Sequence, residues 1–355
     1  MQRRAAKTLP GNPFLALLRE VKPEVDRRLA RGLDAEIARM GNSGDAVREM
    51  LLAAKELSLR GGKRLRAALV LAGQKATEPR VSSWDRGLDV GVAVELLQSY
   101  LLIHDDWMDQ DDRRRGGPSV HLTLARRFRS THAGACGAIL AGDYLAALAT
   151  RTLVDAVHRH PRQTDLLRAF AEIQLSTVAG QQLDATRLER DAETVYELKT
   201  AAYTVAGPLE LGALLAGADR RTHQALLRFA RPLGIAFQLR DDLLGLFAPP
   251  RITGKPLAND LREGKRTWTI EWALAHGGAR EQKQLRAVYG MASASAKDVR
   301  AALGALRSSG AEAATEARLN EHLQKAQKAL ESARLRPAGE TLLLGATRAL
   351  LDRGA

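Results

Sequence analysis

Apolar residues recur at three- and four-residue intervals through almost the whole chain, and the two-residue alternation of a half-buried strand is nearly absent. The clearest stretches are residues 92–104, 138–157, 166–183 and 225–247. A helix with one apolar face must bury that face against another element. Glycine and proline punctuate the pattern at Gly116-Gly117-Pro118, Gly207-Pro208, Pro249-Pro250 and Gly254-Lys255-Pro256. No shift in composition marks a linker, and no fixed-period repeat is present. The pattern predicts an all-α protein of roughly ten or more helices. They would form a single domain over residues 13–355, preceded by a mobile arm at residues 1–12. Beyond Ser293 the chain is rich in alanine, arginine and glutamate. That stretch predicts amphipathic helices laid over the core rather than site residues.

A chain of 355 residues, 45% of them hydrophobic, has the material for a large core. No uninterrupted apolar stretch approaches the ~20 residues of a membrane span, so no span is expected. The N-terminal residues make a poor secretory signal, because Pro10, Gly11 and Pro13 precede their short apolar patch. The single cysteine, Cys136, rules out an internal disulfide and fits a reducing cytoplasm. Its small neighbours, residues 133–138, predict a buried structural thiol. The net charge of +13 favours anionic partners. The basic residues are scattered on helices with few aromatics between them, so a phosphorylated small molecule is expected and nucleic acid is not.

Two acidic clusters stand out, each followed by basic residues. The first is His104-Asp105-Asp106-Trp107-Met108-Asp109, with Arg113, Arg114 and Arg115 behind it. On a helix Asp105 and Asp109 lie one turn apart on one face, and Gln98, seven residues earlier, falls near the same stripe. Like charges at that spacing destabilise a bare helix by a few tenths of a kcal/mol. The pair is therefore either a solvated acidic helix end or a site that takes a cation. Asp111 and Asp112 read as salt-bridge partners of the arginines. The second cluster, Gln238-Leu239-Arg240-Asp241-Asp242, also ends an apolar helical run and is followed by Lys255, Asp260 and Lys265. Gly245 stands where a third aspartate could have been. A third basic group, Gly61-Gly62-Lys63-Arg64-Leu65-Arg66, opens a helix, where free N–H groups favour anions. Hard cations such as Mg²⁺ take carboxylate and phosphate oxygens, and arginine and lysine grip phosphate. Together the clusters predict a metal-dependent site for a diphosphate.

Between Gly61 and Trp268 these segments resemble the trans-isoprenyl diphosphate synthases, or polyprenyl synthetases. The resemblance runs through Gly-Gly-Lys-Arg-x-Arg, Asp105-Asp106-x-x-Asp109 with Arg114-Arg115-Gly116, and Ala141-Gly142-Asp143. It continues through Gly180-Gln181-x-x-Asp184, Leu198-Lys199-Thr200, Phe237-Gln238-x-x-Asp241-Asp242, Thr253-Gly254-Lys255 and residues 260–267. It implies the isoprenoid synthase fold, a homodimer, and three Mg²⁺ ions. Asp105 and Asp109 would hold two ions and Asp241 the third, with Asp106 and Asp242 in support. Arg114, Lys199 and Lys255 would grip an allylic diphosphate. Lys63, Arg66, Gln98 and Arg115 would bind isopentenyl diphosphate, and Lys265 would add a further contact. Thr200 and Gln238 would stabilise a carbocation through their oxygens.

In the family, bulk just before the first aspartate motif limits product length, which points to Tyr100 and Leu101. The helical wheel alone turns Tyr100 well away from Asp105. One aromatic there favours a C20 product, geranylgeranyl diphosphate, over C15 farnesyl diphosphate. The competing readings are a class I terpene cyclase and a non-catalytic partner subunit. The basic residues of an isopentenyl site argue against the first, and the retained aspartates against the second. Gly245 is the departure that bears on metal binding.

Overall fold

In the computed structural model the described residues are 11–78, 84–186, 191–249, 257–291, 293–333 and 335–351. The long first helix, α1 (Pro13–Met40), starts where Asn12 accepts hydrogen bonds from the N–H groups of Phe14 and Leu15, with Pro13 in the first turn. The Asn12 amide also donates to the Gly345 carbonyl at 2.9 Å, tying the start of the chain to its last helix. Of the arm expected over residues 1–12, only Gly11 and Asn12 fall among the described residues. Helix α1 buries Leu17, Val21, Val25, Leu29 and Leu33, a four-residue stripe that packs on α2 (Asp45–Leu59), α3 (Leu65–Thr77) and α4 (Asp85–Met108).

Helix α4 is the axis of the fold. Residues 90–99 are all buried, so apolar and small side chains surround it rather than forming one stripe. It packs most heavily against α6 (Thr131–Ala156), which follows the short α5 (Val120–Phe128). The only strands among the described residues, β1 (Arg113–Arg114) and β2 (Gly117–Pro118), form a small antiparallel hairpin between α4 and α5. After α7 (Gln163–Thr186) comes a continuous helical run. It comprises α8 (Ala192–Val195), a π-helical stretch (Tyr196–Ala206) and α9 (Gly207–Leu215). Helices α3 and α9 come so close that a Cβ on Gly73 or Gly212 would enter the other helix's backbone. Helix α10 (Arg220–Phe247) carries the second acidic cluster. Short helices α11 (Asn259–Arg262), α12 (Trp268–His276) and α13 (Ala279–Arg286) then lead to α14 (Ala296–Ser308), α15 (Ala311–Ser332) and α16 (Pro337–Leu351).

These last helices pack over the core as the sequence suggests, α15 along α10 and α16 against α3 and α1. One of their residues, Ala349, does reach the central cavity. Two other expectations are revised. Cys136 is partly exposed on α6, 3.5 Å from His132 Nε2, because the small residues around it leave that face uncovered. Helix α6 is also long and apolar enough to cross a membrane, with a mean hydropathy of 1.4. Its charged residues are too sparse to interrupt the pattern, and 44% of that window is buried in the protein. Its glycines abut other elements: a Cβ at Gly134 would strike α5 and one at Gly142 the His104 ring. That packing makes it a helix of the core.

An ion-pair clamp holds α15 to the helix that enters the π-helical stretch. Arg318 donates to both carboxylate oxygens of Glu193, at 2.5 and 2.8 Å, and His322 Nε2 lies 3.3 Å away. Burial alone would raise the Glu193 carboxyl, but His322 and Arg318 outweigh it and hold it down at about 2, below the ordinary 4.5. A carboxylate whose pKa is depressed on folding stabilises the fold above its unfolded value, and that contribution is lost as pH falls through the folded value. The melting temperature should therefore fall more steeply between pH 4.5 and pH 2 in the wild type than in Glu193→Gln. Parallel slopes in thermal melts would show that the clamp contributes nothing.

Candidate active site

The ends of α4 and α10, the loop before α3, the β1–β2 hairpin and the π-helical stretch surround one cavity of about 790 Å³. Lys63, Arg66, Gln98, Asp105, Arg114, Arg115, Lys199, Thr200, Gln238, Asp241, Asp242 and Lys265 all line it. Residues up to 202 positions apart in sequence, Lys63 to Lys265, are thus brought together. Asp109 joins the group through Lys265, whose ammonium lies 3.2 Å from its carboxylate. Lys255 lies outside the described residues.

Charge is densest around the first aspartate motif. Lys199 Nζ sits 2.5 Å from Asp184 and 3.3 Å from Asp105, and Arg114 lies 3.6 Å from Asp105. Arg114 is also paired with Asp106 and, at 3.4 Å, with Asp111. Burial would raise the Asp105 carboxyl, but Lys199, Lys265 and Arg114 overcome it and hold it low. Asp109 is pushed up by burial and by the Asp105 charge, against the pull of Lys265. Burial would lower both lysines, yet the facing aspartates keep Lys199 and Lys265 above the ordinary lysine range. Asp106 behaves differently: burial pushes it up to about 6 despite Arg114, and among the described residues its Oδ2 has no hydrogen-bond partner.

The second motif is held by a chain of hydrogen bonds. Thr200 Oγ1 donates to Gln238 Oε1 at 2.8 Å, and Gln238 Nε2 donates to Asp242 Oδ1 at 2.8 Å. The Tyr196 hydroxyl donates to Asp242 Oδ2 and accepts from the Trp268 N–H at 2.7 Å. Burial, then the Asp260 charge, raises Asp242 to about 8. A Cβ at Gly245 would run into the Asp260 carboxylate, so Asp260 occupies the space a third aspartate side chain would have needed.

The third basic group forms its own corner. Arg66 donates to Thr204 Oγ1 at 2.8 Å and stacks over the Tyr203 ring at 4.3 Å. Among the described residues, Arg66 Nε and Gln98 Oε1 are buried without hydrogen-bond partners, a donor and an acceptor left for a ligand. The basic group opens α3 as expected, but the helix begins only at Leu65, so Lys63 stands on the loop before it. Arg64, left-handed at φ 54°, turns the chain between them, and its guanidinium is buried against Asp26 at 2.6 Å and the Ser58 carbonyl at 2.7 Å.

Beside Asp105 and Lys199 a second, mainly apolar cavity of about 210 Å³ runs along α4 and α7. Tyr100, Leu101, Leu102, His104, Asp105 and Met108 all border it, so it follows a broad arc of α4 and takes in Tyr100 and Asp105 together. The helical wheel could not anticipate that arc. Tyr100 meets the His104 ring edge-on at 4.9 Å, and His104 is fixed by the Ile139 carbonyl at 2.9 Å.

Reading the sequence missed several residues as parts of the site. Asp184 pairs with Lys199, Tyr196 orients Asp242, and Tyr203 and Thr204 hold Arg66. A four-residue spacing from Lys199 could have flagged Tyr203.

The donor set facing the main cavity is all oxygen and fits Mg²⁺. Among the described residues no three carboxylates, imidazoles or thiols converge on a single point. Paired carboxylates of this kind suit ions that complete their shells with water and substrate phosphate rather than an all-protein cage.

The chain matches the Polyprenyl synthetase family over residues 48–306. It is 39% identical over 224 residues to the (2E,6E)-farnesyl diphosphate synthase of Mycobacterium tuberculosis, a match covering 61% of this chain and 58% of that one. It is 35% identical over 234 residues to the geranylgeranyl diphosphate synthase of Methanosarcina mazei, covering 64% and 68%. A crystal structure of the geranylgeranyl pyrophosphate synthase of Corynebacterium glutamicum, complexed with isoprenyl diphosphate and magnesium, superposes with a TM-score of 0.88. Its sequence identity is 32%, and the superposition covers 95% of this chain and 99% of the other. With this fold, this cavity and these matches, the chain belongs to the polyprenyl synthetase family and has the isoprenoid synthase fold.

Proposed function

We propose that this chain is a short-chain prenyltransferase that condenses isopentenyl diphosphate with an allylic diphosphate to give geranylgeranyl diphosphate. The observation that carries the reading is a cavity with two chemically distinct walls and an apolar pocket beside it. Two carboxylate motifs line the cavity, a basic corner in which Arg66 Nε has no partner among the described residues adjoins them, and the separate apolar pocket opens beside Asp105.

Each wall has a task. Lys63, Arg66, Gln98 and Arg115 bind the diphosphate of isopentenyl diphosphate, which stays attached throughout. Arg114, Lys199 and Lys265 hold the allylic diphosphate, with Lys255 completing the grip. Asp105, Asp109 and Asp241, with Asp106 and Asp242 in support, would hold three Mg²⁺ ions, which would neutralise the departing diphosphate. As the allylic C–O bond breaks, positive charge develops on carbon. The Thr200 hydroxyl donates its hydrogen bond to Gln238 Oε1, so its oxygen lone pairs are free to face that charge. The double bond of isopentenyl diphosphate attacks the cation, one C–C bond forms, and the proton lost returns to the released diphosphate. No nucleophilic side chain is required.

Tyr100 and Leu101 border the apolar pocket, and on this reading Tyr100 serves as the floor that stops chain growth. Tyr100→Ala should shift the product beyond C20, read by chromatography of the hydrolysed prenyl alcohols; an unaltered product would remove Tyr100 from that role. Leu140, Leu175 and Val178 on α6 and α7 are exposed by 57%, 64% and 50%, an apolar surface that a second copy would cover in a homodimer. A cytoplasmic location is consistent with the single cysteine.

The test is incubation of purified protein with Mg²⁺, isopentenyl diphosphate and dimethylallyl, geranyl or farnesyl diphosphate. A discrete C20 product supports the reading, and a C15 product corrects its length. Diphosphate release without elongation would mean a cyclase-type lyase, and silence from folded protein a partner subunit.

A further inference from the structure

The two loops that carry Lys63 and Arg115 are joined by a residue that lines neither cavity described above. Arg60 caps α2 (Asp45–Leu59), and its side chain is only 16% exposed. Its Nη1 donates to the Pro118 carbonyl at 2.8 Å and the Arg114 carbonyl at 3.1 Å, bridging both strands of the β1–β2 hairpin. Its Nη2 donates to Glu56 at 2.5 Å, which fixes the guanidinium plane. The link is reciprocal, since Arg115 Nη1 donates back to the Arg60 carbonyl at 3.3 Å.

Two glycines make room for this arrangement. A Cβ at Gly117 would fall inside the Arg60 guanidinium. One at Gly62, where φ is +92°, would lie 3.1 Å from Arg115 Nη1. Arg114 has its own anchors in Asp106 and Asp111, whereas among the described residues the one hydrogen bond of the Arg115 side chain is to Arg60. Arg115 is held where burial and the charges of Arg64, Arg66 and Arg114 disfavour its own, an arrangement suited to a bound anion.

We propose that Arg60 is a positioning residue that clasps the Gly61–Lys63 loop to the Arg113–Pro118 hairpin and so presets Arg115 for diphosphate. The proposal rests on the function given above for the basic corner. Lysine cannot replace Arg60, because its single ammonium cannot reach two carbonyls and Glu56 in a fixed fork.

The experiment uses the full chain and compares wild type with Arg60→Lys, Gly117→Ala and the double variant. Calorimetry in EDTA follows isopentenyl diphosphate and, separately, inorganic diphosphate. Steady-state assays with Mg²⁺ follow the KM of each substrate, and thermal melts follow folding. Each single variant should weaken both ligands about tenfold through misplacement of Arg115. The double variant should be no weaker than either single one, since both break one contact. The KM for isopentenyl diphosphate should rise and that for the allylic substrate should not, with melting temperatures unchanged within a few degrees. Wild-type affinity in Arg60→Lys, equal rises in both KM values, fully additive losses, or a wild type that binds neither ligand would each overturn the clasp. Diphosphate binding that depends on Arg60 in a protein that makes no elongated product would retain the clasp and retire the prenyltransferase reading.

Discussion

Asp105→Asn should lower turnover by about 10³-fold, the several kcal/mol that a metal-binding carboxylate contributes at a departing diphosphate. Asparagine keeps the shape of the side chain and removes its charge. That charge is well maintained in the folded protein: burial opposes it, but Lys199, Lys265 and Arg114 outweigh burial. Folding should survive, for three reasons. Lys199 keeps Asp184 at 2.5 Å, Arg114 keeps Asp106 and Asp111, and repulsion between Asp105 and Asp109 is relieved. The decisive comparison is Mg²⁺-dependent turnover beside a thermal melt. A variant that melts like wild type and retains a tenth or more of its activity would remove Asp105 from the metal site.

The sequence carried the helices and the site chemistry unevenly, for physical reasons. Residues 92–104 and 225–247 read as helices because their burial is periodic or continuous, and both end in the aspartates that face the cavity. Charged residues clustered at helix ends are conspicuous in a sequence, and Asp105, Asp241 and the basic residues Lys63, Arg66, Arg114 and Arg115 do line the cavity. The π-helical geometry of Tyr196–Ala206 was not, because nothing in residue type separates it from an α-helix of the same composition. Asp184 and Tyr196 were hidden for a related reason. Each acts through a contact across helices, to Lys199 and to Asp242, and such pairings leave no local spacing signal. The Tyr100 wheel argument failed because a wheel assumes that a cavity touches one narrow stripe, and this one follows an arc.

Gly180→Ala should cut kcat/KM by about 10²-fold, a loss typical of misplacing catalytic groups by about an ångström. Gly180 lies on α7 against the π-helical stretch, and a Cβ there would collide with the Lys199 nitrogen, the Leu198 carbonyl carbon and Lys199 Cα. These are backbone atoms, so no side-chain rotation relieves the contact. Asp184 follows one turn later on α7 and holds Lys199 Nζ at 2.5 Å. The closeness of the two helices at Gly180 therefore sets where Lys199 and Thr200 stand, and pushing them apart displaces both. The overpacking should also cost about 1–3 kcal/mol of stability, seen as a lower melting temperature. Gly32→Ala is the control: it lies in α1 with open space where the Cβ would be. There alanine should stabilise the helix by up to about 1 kcal/mol and leave kinetics alone. If Gly180→Ala proves as benign as Gly32→Ala in both measurements, the close approach does not set Lys199. The register of the π-helical stretch must then be fixed from its other side, where α10 packs.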